Sequence, residues 1–405
     1  MSRTKLFSAA VIVASLGYFV DIYDLLLFSI VRVQSLRLIG FAGSELEVGA
    51  WLSNIQMTGL MVGGILWGVV GDKKGRLSVL FGSIFLYSVA NFINGYSHTL
   101  THYACCRFFA GLGLAGELGA GITLVSEVLP SDLRGYGTTL VATIGVSGAI
   151  VGGYVAQIFS WRVAFQIGGV LGLLLLLLRI GVAESGIYQD LSGSRVKRGN
   201  FLSLFTHRER FKRFALCVLS GVPIWFAIGV LVTYSPEFAR IFEVTGTIGT
   251  AQSVMACYLG FVIGDFGFGI FSQWVKSRNR AVKTAIGMNF FCVLIYLLAL
   301  RGVSVNLFYF WCVLIGATAG YWAVICTMTA EQFGTNLRAT ATTAVPNFIR
   351  FSLVPMNLIM LFLKSQIGLV NAALFVGVVV LGIAYFSIRG LQEPYGKDLN
   401  FVETD

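Results

Sequence analysis

Charge is scarce in this sequence. Only 12% of its 405 residues are Asp, Glu, Lys or Arg, about half of what soluble domains carry, so an ordinary water-facing surface is excluded. The ingredients of catalytic and metal sites are as thin. There are three His, six Pro and seven Cys, and no two cysteines stand in a CxxC spacing that would suggest a metal site or a disulfide framework. His98 and His102 have a spacing that suits a metal only if further ligands were near, and the sequence supplies none. No HExxH, Gly-x-Ser-x-Gly or phosphate-binding loop occurs, which argues against an enzyme and against a bound cofactor.

What the chain has instead is apolar length: 56% hydrophobic residues and a mean hydropathy of +0.81. Runs bounded by charges or turn residues lie near 6–31, 48–70, 77–97, 100–129, 136–160 and 163–182, then near 214–239, 248–275, 284–300, 303–332, 339–363 and 366–388. Each approaches or exceeds the roughly 20 residues that a helix needs to cross a bilayer, and none has the short alternating pattern of a barrel strand. The expected fold class is an all-α membrane protein with twelve transmembrane helices in two six-helix bundles.

The net charge of +10 reads as topology rather than as nucleic-acid binding. Lys and Arg crowd into alternate connections, while the others keep only Arg32, Arg37, Arg162, Arg240, Arg301 and Lys364. By the positive-inside rule both termini then face the cytoplasm, across an inner or plasma membrane. The polar stretch 183–213, with Ser192, Gly193, Ser194 and a basic run from His207 to Arg213, divides an N-terminal bundle (1–182) from a C-terminal one (214–405) that ends in a short cytoplasmic tail. The basic run suits anionic lipid headgroups. An internal repeat supports the division: Glu127, Leu133, Arg134, Thr138 and Thr139 recur as Glu331, Leu337, Arg338, Thr342 and Thr343.

The loop Gly68-Val69-Val70-Gly71-Asp72-Lys73-Lys74-Gly75-Arg76 resembles the signature between the second and third helices of the major facilitator superfamily. Asp21-Ile22-Tyr23-Asp24, the run from Arg107 to Gly111, Gly116-Glu117, Glu127, Pro130 and Arg134-Gly135 resemble its metabolite-proton symporter branch. That resemblance implies a secondary active transporter that imports a small polar metabolite, an organic anion or a zwitterion, with protons as coupling ion. The alternatives are an exporter or exchanger of the same fold, or a transporter-like sensor. Partners are the substrate, protons and the bilayer, and the protein is expected to act as a monomer. The sequence departs from the branch in having Asp21 where Glu followed by Trp is common. It also departs in the second-half loop, Gln273 to Arg278, which lacks the signature Asp.

Ionisable residues inside spans are functional candidates by default, because each costs at least about 2.5 kcal/mol to insert. Asp24, roughly 27 Å along the first helix, and Arg107, about 10 Å into the fourth, reach similar depths. They are expected to pair as a proton-coupling switch, with Asp21 and Glu117 as further candidate proton carriers. In the second half Arg350 is read as a clamp for a substrate carboxylate or as a partner of Asp265, and Tyr321, Trp322 and Trp225 as pore-lining aromatics. Pro223, Pro236, Pro346 and Pro355 are expected to bend the seventh and eleventh helices. The resemblance implies that Asp72, Lys73, Gly75, Arg76, Glu127 and Arg134, with the repeat copies Glu331 and Arg338, form a conformational latch on the cytoplasmic side.

Overall fold

The computed structural model describes residues 8–179 and 199–403. Within them twelve helices are long and apolar enough to span a bilayer: α1 Ala9–Ile39, α2 Val48–Lys74, α3 Arg76–Asn94, α4 Leu100–Val128, α5 Asp132–Ile158, α6 Trp161–Leu178, α7 Arg208–Val232, α8 Thr250–Trp274, α9 Arg278–Leu298, α10 Val305–Gln332, α11 Arg338–Ile367 and α12 Leu369–Gly390. Much of the stretch expected as linker lies outside the described residues, and α7 already opens at Arg208, so the basic run is the first turns of a helix.

Local chemistry sets several of the boundaries. Thr99, Ser160, Ser277 and Ser304 each accept the backbone N–H three residues on, at the starts of α4, α6, α9 and α10, which satisfies donors that a helix start leaves free. Only Gly75 separates α2 from α3. Its φ of 98° is a backbone conformation in which a side chain is strained.

Small residues let the helices approach closely. Gly59 and Gly63 of α2 lie on the backbone of α4 at Phe108 and Leu112, and Gly260 and Gly264 of α8 lie the same way on α10 at Val313 and Ala317. Without a hydrophobic drive between helices in lipid, such backbone contact supplies the dispersion energy that holds each bundle. The two bundles meet along two equivalent seams. Gly64 and Gly68 of α2 face Asn347 and Thr340 of α11, while Gly269 of α8 faces Thr139 of α5. Hydroxyl pairs repeat the symmetry: Thr123 with Thr342 and Thr138 with Thr327, each at 2.6 Å.

Four spans are interrupted. α5 breaks at Ser147, α10 at Gly320 and Tyr321, and α11 at Ser352, while α7 passes into a π-helix over Phe226–Val232 just beyond Pro223. Pro346 sits within α11 and Pro355 in the first turn after its break, whereas Pro236 opens a separate short helix, Ser235–Ile241. The outer surface carries exposed Trp274, Phe362 and Phe386, side chains that only acyl chains would cover.

Candidate functional site

The centre of the interface holds an ion pair between bundles: Arg350 Nη2 of α11 stands 3.6 Å from Asp21 Oδ2 of α1. Arg350 also donates to Asn347 Oδ1 at 3.2 Å, and its guanidinium carbon lies 5.6 Å from the centroid of the Trp322 ring. Arg350 therefore does not pair with Asp265. The break in α10 explains why: it frees the backbone N–H groups that start the segment from Trp322, and Asp265 Oδ1 accepts from Ala323 N at 2.6 Å. A carboxylate is suited to that positive helix end, so Asp265 caps the second segment of an interrupted helix.

Around Arg350 lies a chamber of about 10 Å³ whose walls include Tyr18, Ile22, Trp225, Tyr258, Phe261 and Trp322. Trp225 and Trp322 are thus among the walls of this chamber. Tyr321 is not, because it is fully buried and its hydroxyl donates to the Ser220 carbonyl at 3.1 Å. A second cleft of about 50 Å³ shares Trp225 and Ile228 with this chamber and continues past Met57 and Leu25 to Arg32, Tyr234 and Asn357.

Asp24 and Arg107 are both fully buried but do not form the direct pair expected of them. Arg107 Nη2 donates to Asn91 Oδ1 of α3, and the guanidinium sits 4.5 Å from the centroid of the Phe165 ring. Asp24 packs against Gly168 of α6, with the Asn91 amide and the Arg107 guanidinium as its polar neighbours. Depth alone suggested the pair; Asn91 stands between the two, accepting from Arg107 and reaching Asp24, and the charges act on each other without direct contact. Glu117 is fully engaged: Arg179 donates to Oε1 at 3.1 Å and to Oε2 at 2.5 Å, and Ser83 Oγ donates to Oε1 at 2.6 Å. Arg179 stands one residue past the end of α6, where a basic side chain ordinarily reaches for headgroups. Its side chain instead turns back into the bundle beside Gly17 and locks α4 to the end of α6.

The residues expected to form a latch gather in one network at the end of the molecule where α2 ends and α3 begins. Arg76 donates to both oxygens of Glu127, at 3.1 and 2.7 Å, and Arg338 of the other bundle donates to Glu127 Oε1 at 2.9 Å. The repeat copy has the same plan. Arg278 donates to both oxygens of Glu331, at 3.1 and 3.0 Å, and Arg134 crosses from the first bundle to within 3.7 Å. Asp72 crosses as well, accepting from Ala339 N at 3.0 Å and from Thr340 N at 2.8 Å, so it caps α11. In the equivalent place Gln273, with its amide oxygen turned inward, accepts from Gly135 N at 2.9 Å and Tyr136 N at 3.1 Å. The missing signature Asp is thus replaced by a neutral cap at the start of α5. Lys73 is exposed.

A strap that left no mark in the residue pattern lies over this network. Residues 391–403 run back across it: Arg338 Nη2 donates to the Leu399 carbonyl at 2.6 Å, Thr335 N to Phe401 O at 2.8 Å, and Arg213 Nη2 to Glu403 Oε2 at 2.9 Å. Arg134 of the first bundle reaches Lys397 O at 3.4 Å. Burial opposes a charge on Glu403, yet the Arg213 and Arg210 guanidinium groups and the Gly334 N–H outweigh it and hold the carboxyl below its ordinary range.

This architecture has known counterparts. The family model for the Major Facilitator Superfamily matches residues 6–356. The niacin transporter NiaP of Acinetobacter baylyi is 25% identical over 366 residues, covering 81% of this chain and 80% of that one. The sialic acid transporter NanX of Escherichia coli is 25% identical over 406 residues, covering 97% and 94%. Among solved structures, the proton:xylose symporter XylE superimposes with a TM-score of 0.75 at 15% identity, over 99% of this chain and 98% of that one. The chain is an integral membrane protein that belongs to the major facilitator superfamily, whose members are transporters and not enzymes.

Proposed function

We propose that this transporter imports a small organic anion together with a proton, with its latch end facing the cytoplasm. The observation that carries the reading is the Asp21–Arg350 pair, buried between the two bundles at 3.6 Å. A guanidinium binds a carboxylate through two parallel hydrogen bonds, which Asp21 at that distance does not use. An entering carboxylate can therefore take Arg350 from Asp21. Asp21, losing its counter-charge in a buried site, then takes up a proton. Substrate and proton thus load in one exchange, and the latch opens when the bundles rock about the seams between them. Asp24, buried beside the Asn91 amide and Arg107, is the second acid available to the proton. The niacin and sialic acid transporters among the relatives handle carboxylic acids, in keeping with an anion on Arg350. The crowding of Lys and Arg at the latch end supports the cytoplasmic assignment.

The test is uptake into proteoliposomes under an imposed pH gradient, screened over small carboxylates and their neutral amides. Arg350→Lys should keep the charge but lose the bidentate geometry, weakening affinity about tenfold or more. Uptake that favours the neutral amides, or that ignores Arg350→Lys, refutes the reading.

A further inference from the structure

The two copies of the network at the latch end differ at one position, and the strap fills the difference. In the first copy Asp72 has two tasks. It caps α11 across the interface, and its Oδ1 stands 3.5 Å from Arg76 Nη1, so Arg76 lies between the carboxylates of Asp72 and Glu127. In the second copy the cap is Gln273, which has no charge to offer Arg278 and carries an NH2 group that a carboxylate lacks. Its amide oxygen accepts from Gly135 N and Tyr136 N, so the NH2 group faces away from α5. Gln273 is buried, and a buried donor left unmatched costs free energy.

The acceptor it needs is in the strap. The Gln273 NH2 donates to the Tyr395 hydroxyl at 3.2 Å. The ring of the same tyrosine lies against the Arg278 guanidinium, whose carbon is 4.8 Å from the ring centroid, and an aromatic face attracts a cation placed there. Tyr395 thus meets both residues that the missing carboxylate would serve. Its place is set from the start of α9. Glu393 accepts from Arg278 N at 2.8 Å and from Asn279 N at 3.2 Å, and Tyr395 N donates to the same carboxylate at 3.2 Å. A carboxylate is favoured at a helix start, so the cap of α9 also fixes the turn that brings the tyrosine over Arg278. Further along the strap, the Lys397 carbonyl receives Arg134 from the first bundle.

We propose that Tyr395 is a positioning residue of the second copy, standing in for the carboxylate that Gln273 lacks: its hydroxyl orients the Gln273 amide toward α5 and its ring covers Arg278. This rests on the reading that the network holds this end of the bundles together until transport parts them. The first copy is complete within the two bundles, whereas the second is complete only with the strap docked. Docking of residues 391–403 and closure of this end are therefore coupled, and the strap takes part in the conformational cycle.

The experiment is hydrogen exchange on the purified full-length protein, read at the Ala339 and Thr340 N–H groups, whose acceptor is Asp72 of the first copy. When the bundles rock apart both copies break together, so a loss in the second copy is read in the first. Tyr395→Phe keeps the ring and removes the acceptor, and should accelerate exchange there about fivefold. Gln273→Asp gives the second copy the residue of the first, one methylene shorter and with no NH2 group, so it asks nothing of Tyr395. In that background Tyr395→Phe should change exchange by less than about twofold. An equal acceleration in both backgrounds overturns the proposal, because the hydroxyl would then act through something other than Gln273. Tyr395→Leu also strips the ring from Arg278 and should exceed Tyr395→Phe by about threefold. It is the check if Gln273→Asp folds poorly, and an effect no larger than that of Tyr395→Phe overturns the stand-in at Arg278. No acceleration in Tyr395→Phe, where Glu127→Gln does accelerate exchange, overturns the proposal and leaves the latch reading intact. No acceleration in either variant overturns the latch reading and the proposal with it.

Discussion

Removing the charge of Glu127 should open the latch end. In the closed state that carboxylate receives Arg76 through two hydrogen bonds and Arg338 through a third, and both arginines are fully buried. Glu127→Gln leaves two guanidinium groups without their shared counter-charge. Breaking such a buried pair costs about 3 to 5 kcal/mol, and the lower figure applies here because the amide oxygen still accepts a hydrogen bond. When the latch is open the same arginines are hydrated, so the penalty falls on the closed state alone. About 3 kcal/mol shifts the closed-to-open ratio roughly 150-fold. Hydrogen exchange at Ala339 and Thr340, whose N–H groups Asp72 accepts, reports the opening, because those bonds break when the bundles part. Exchange there should accelerate about 100-fold. Glu331→Gln should have less effect, since the cross-bundle contact in that copy is only the 3.7 Å approach of Arg134. Unchanged exchange in Glu127→Gln, or a larger effect from Glu331→Gln, would refute the assignment of Glu127 as the centre of the latch.

Two other residues separate structural from functional roles. Asp265→Ala removes the cap of the broken α10 and should lower stability by about 1 to 2 kcal/mol in thermal unfolding, with substrate specificity intact; altered specificity at normal stability would return Asp265 to the binding site. Glu403 has its carboxyl held below the ordinary value of 4.5, so its hold on residues 391–403 is complete above that pH and is lost as pH falls through the lower folded value. Protection from hydrogen exchange across those residues, taken relative to the intrinsic amide rate at each pH, should therefore be high at neutral pH and fall in acid, and Glu403→Gln should show the low protection already at neutral pH.

The elements of this fold were legible because each span is an apolar run of near-bilayer length, and the cluster around Glu127 and Glu331 was legible from the family resemblance together with the recurrence of Glu127 and Arg134 as Glu331 and Arg338. Pairings were harder to read. Asp24 and Arg107 matched in depth, but depth carries no information about which way a side chain turns, and Asn91 stands in the way. Asp265 and Arg350 were matched within one half because nothing in the sequence states how the two bundles face each other, and the true partner, Asp21, lies in the other half. The role of Asp265 depends on a helix break at Gly320 and Tyr321 hidden inside a continuous apolar run. Arg179 sits one residue past α6, where an arginine ordinarily anchors to headgroups, so its reach back to Glu117 left no mark in the pattern. Residues 391–403 had the composition of a tail, and only their backbone hydrogen bonds reveal a strap.

The central claim is that Asp21 exchanges its partnership with Arg350 for a proton when substrate binds, and Asp21→Asn tests it most directly. In proteoliposomes the variant should still exchange labelled substrate between equilibrated compartments, because an amide stands in for the protonated acid, yet it should fail to accumulate substrate under an imposed pH gradient. Accumulation at the level of the unaltered protein would contradict the claim and leave the coupling to Asp24.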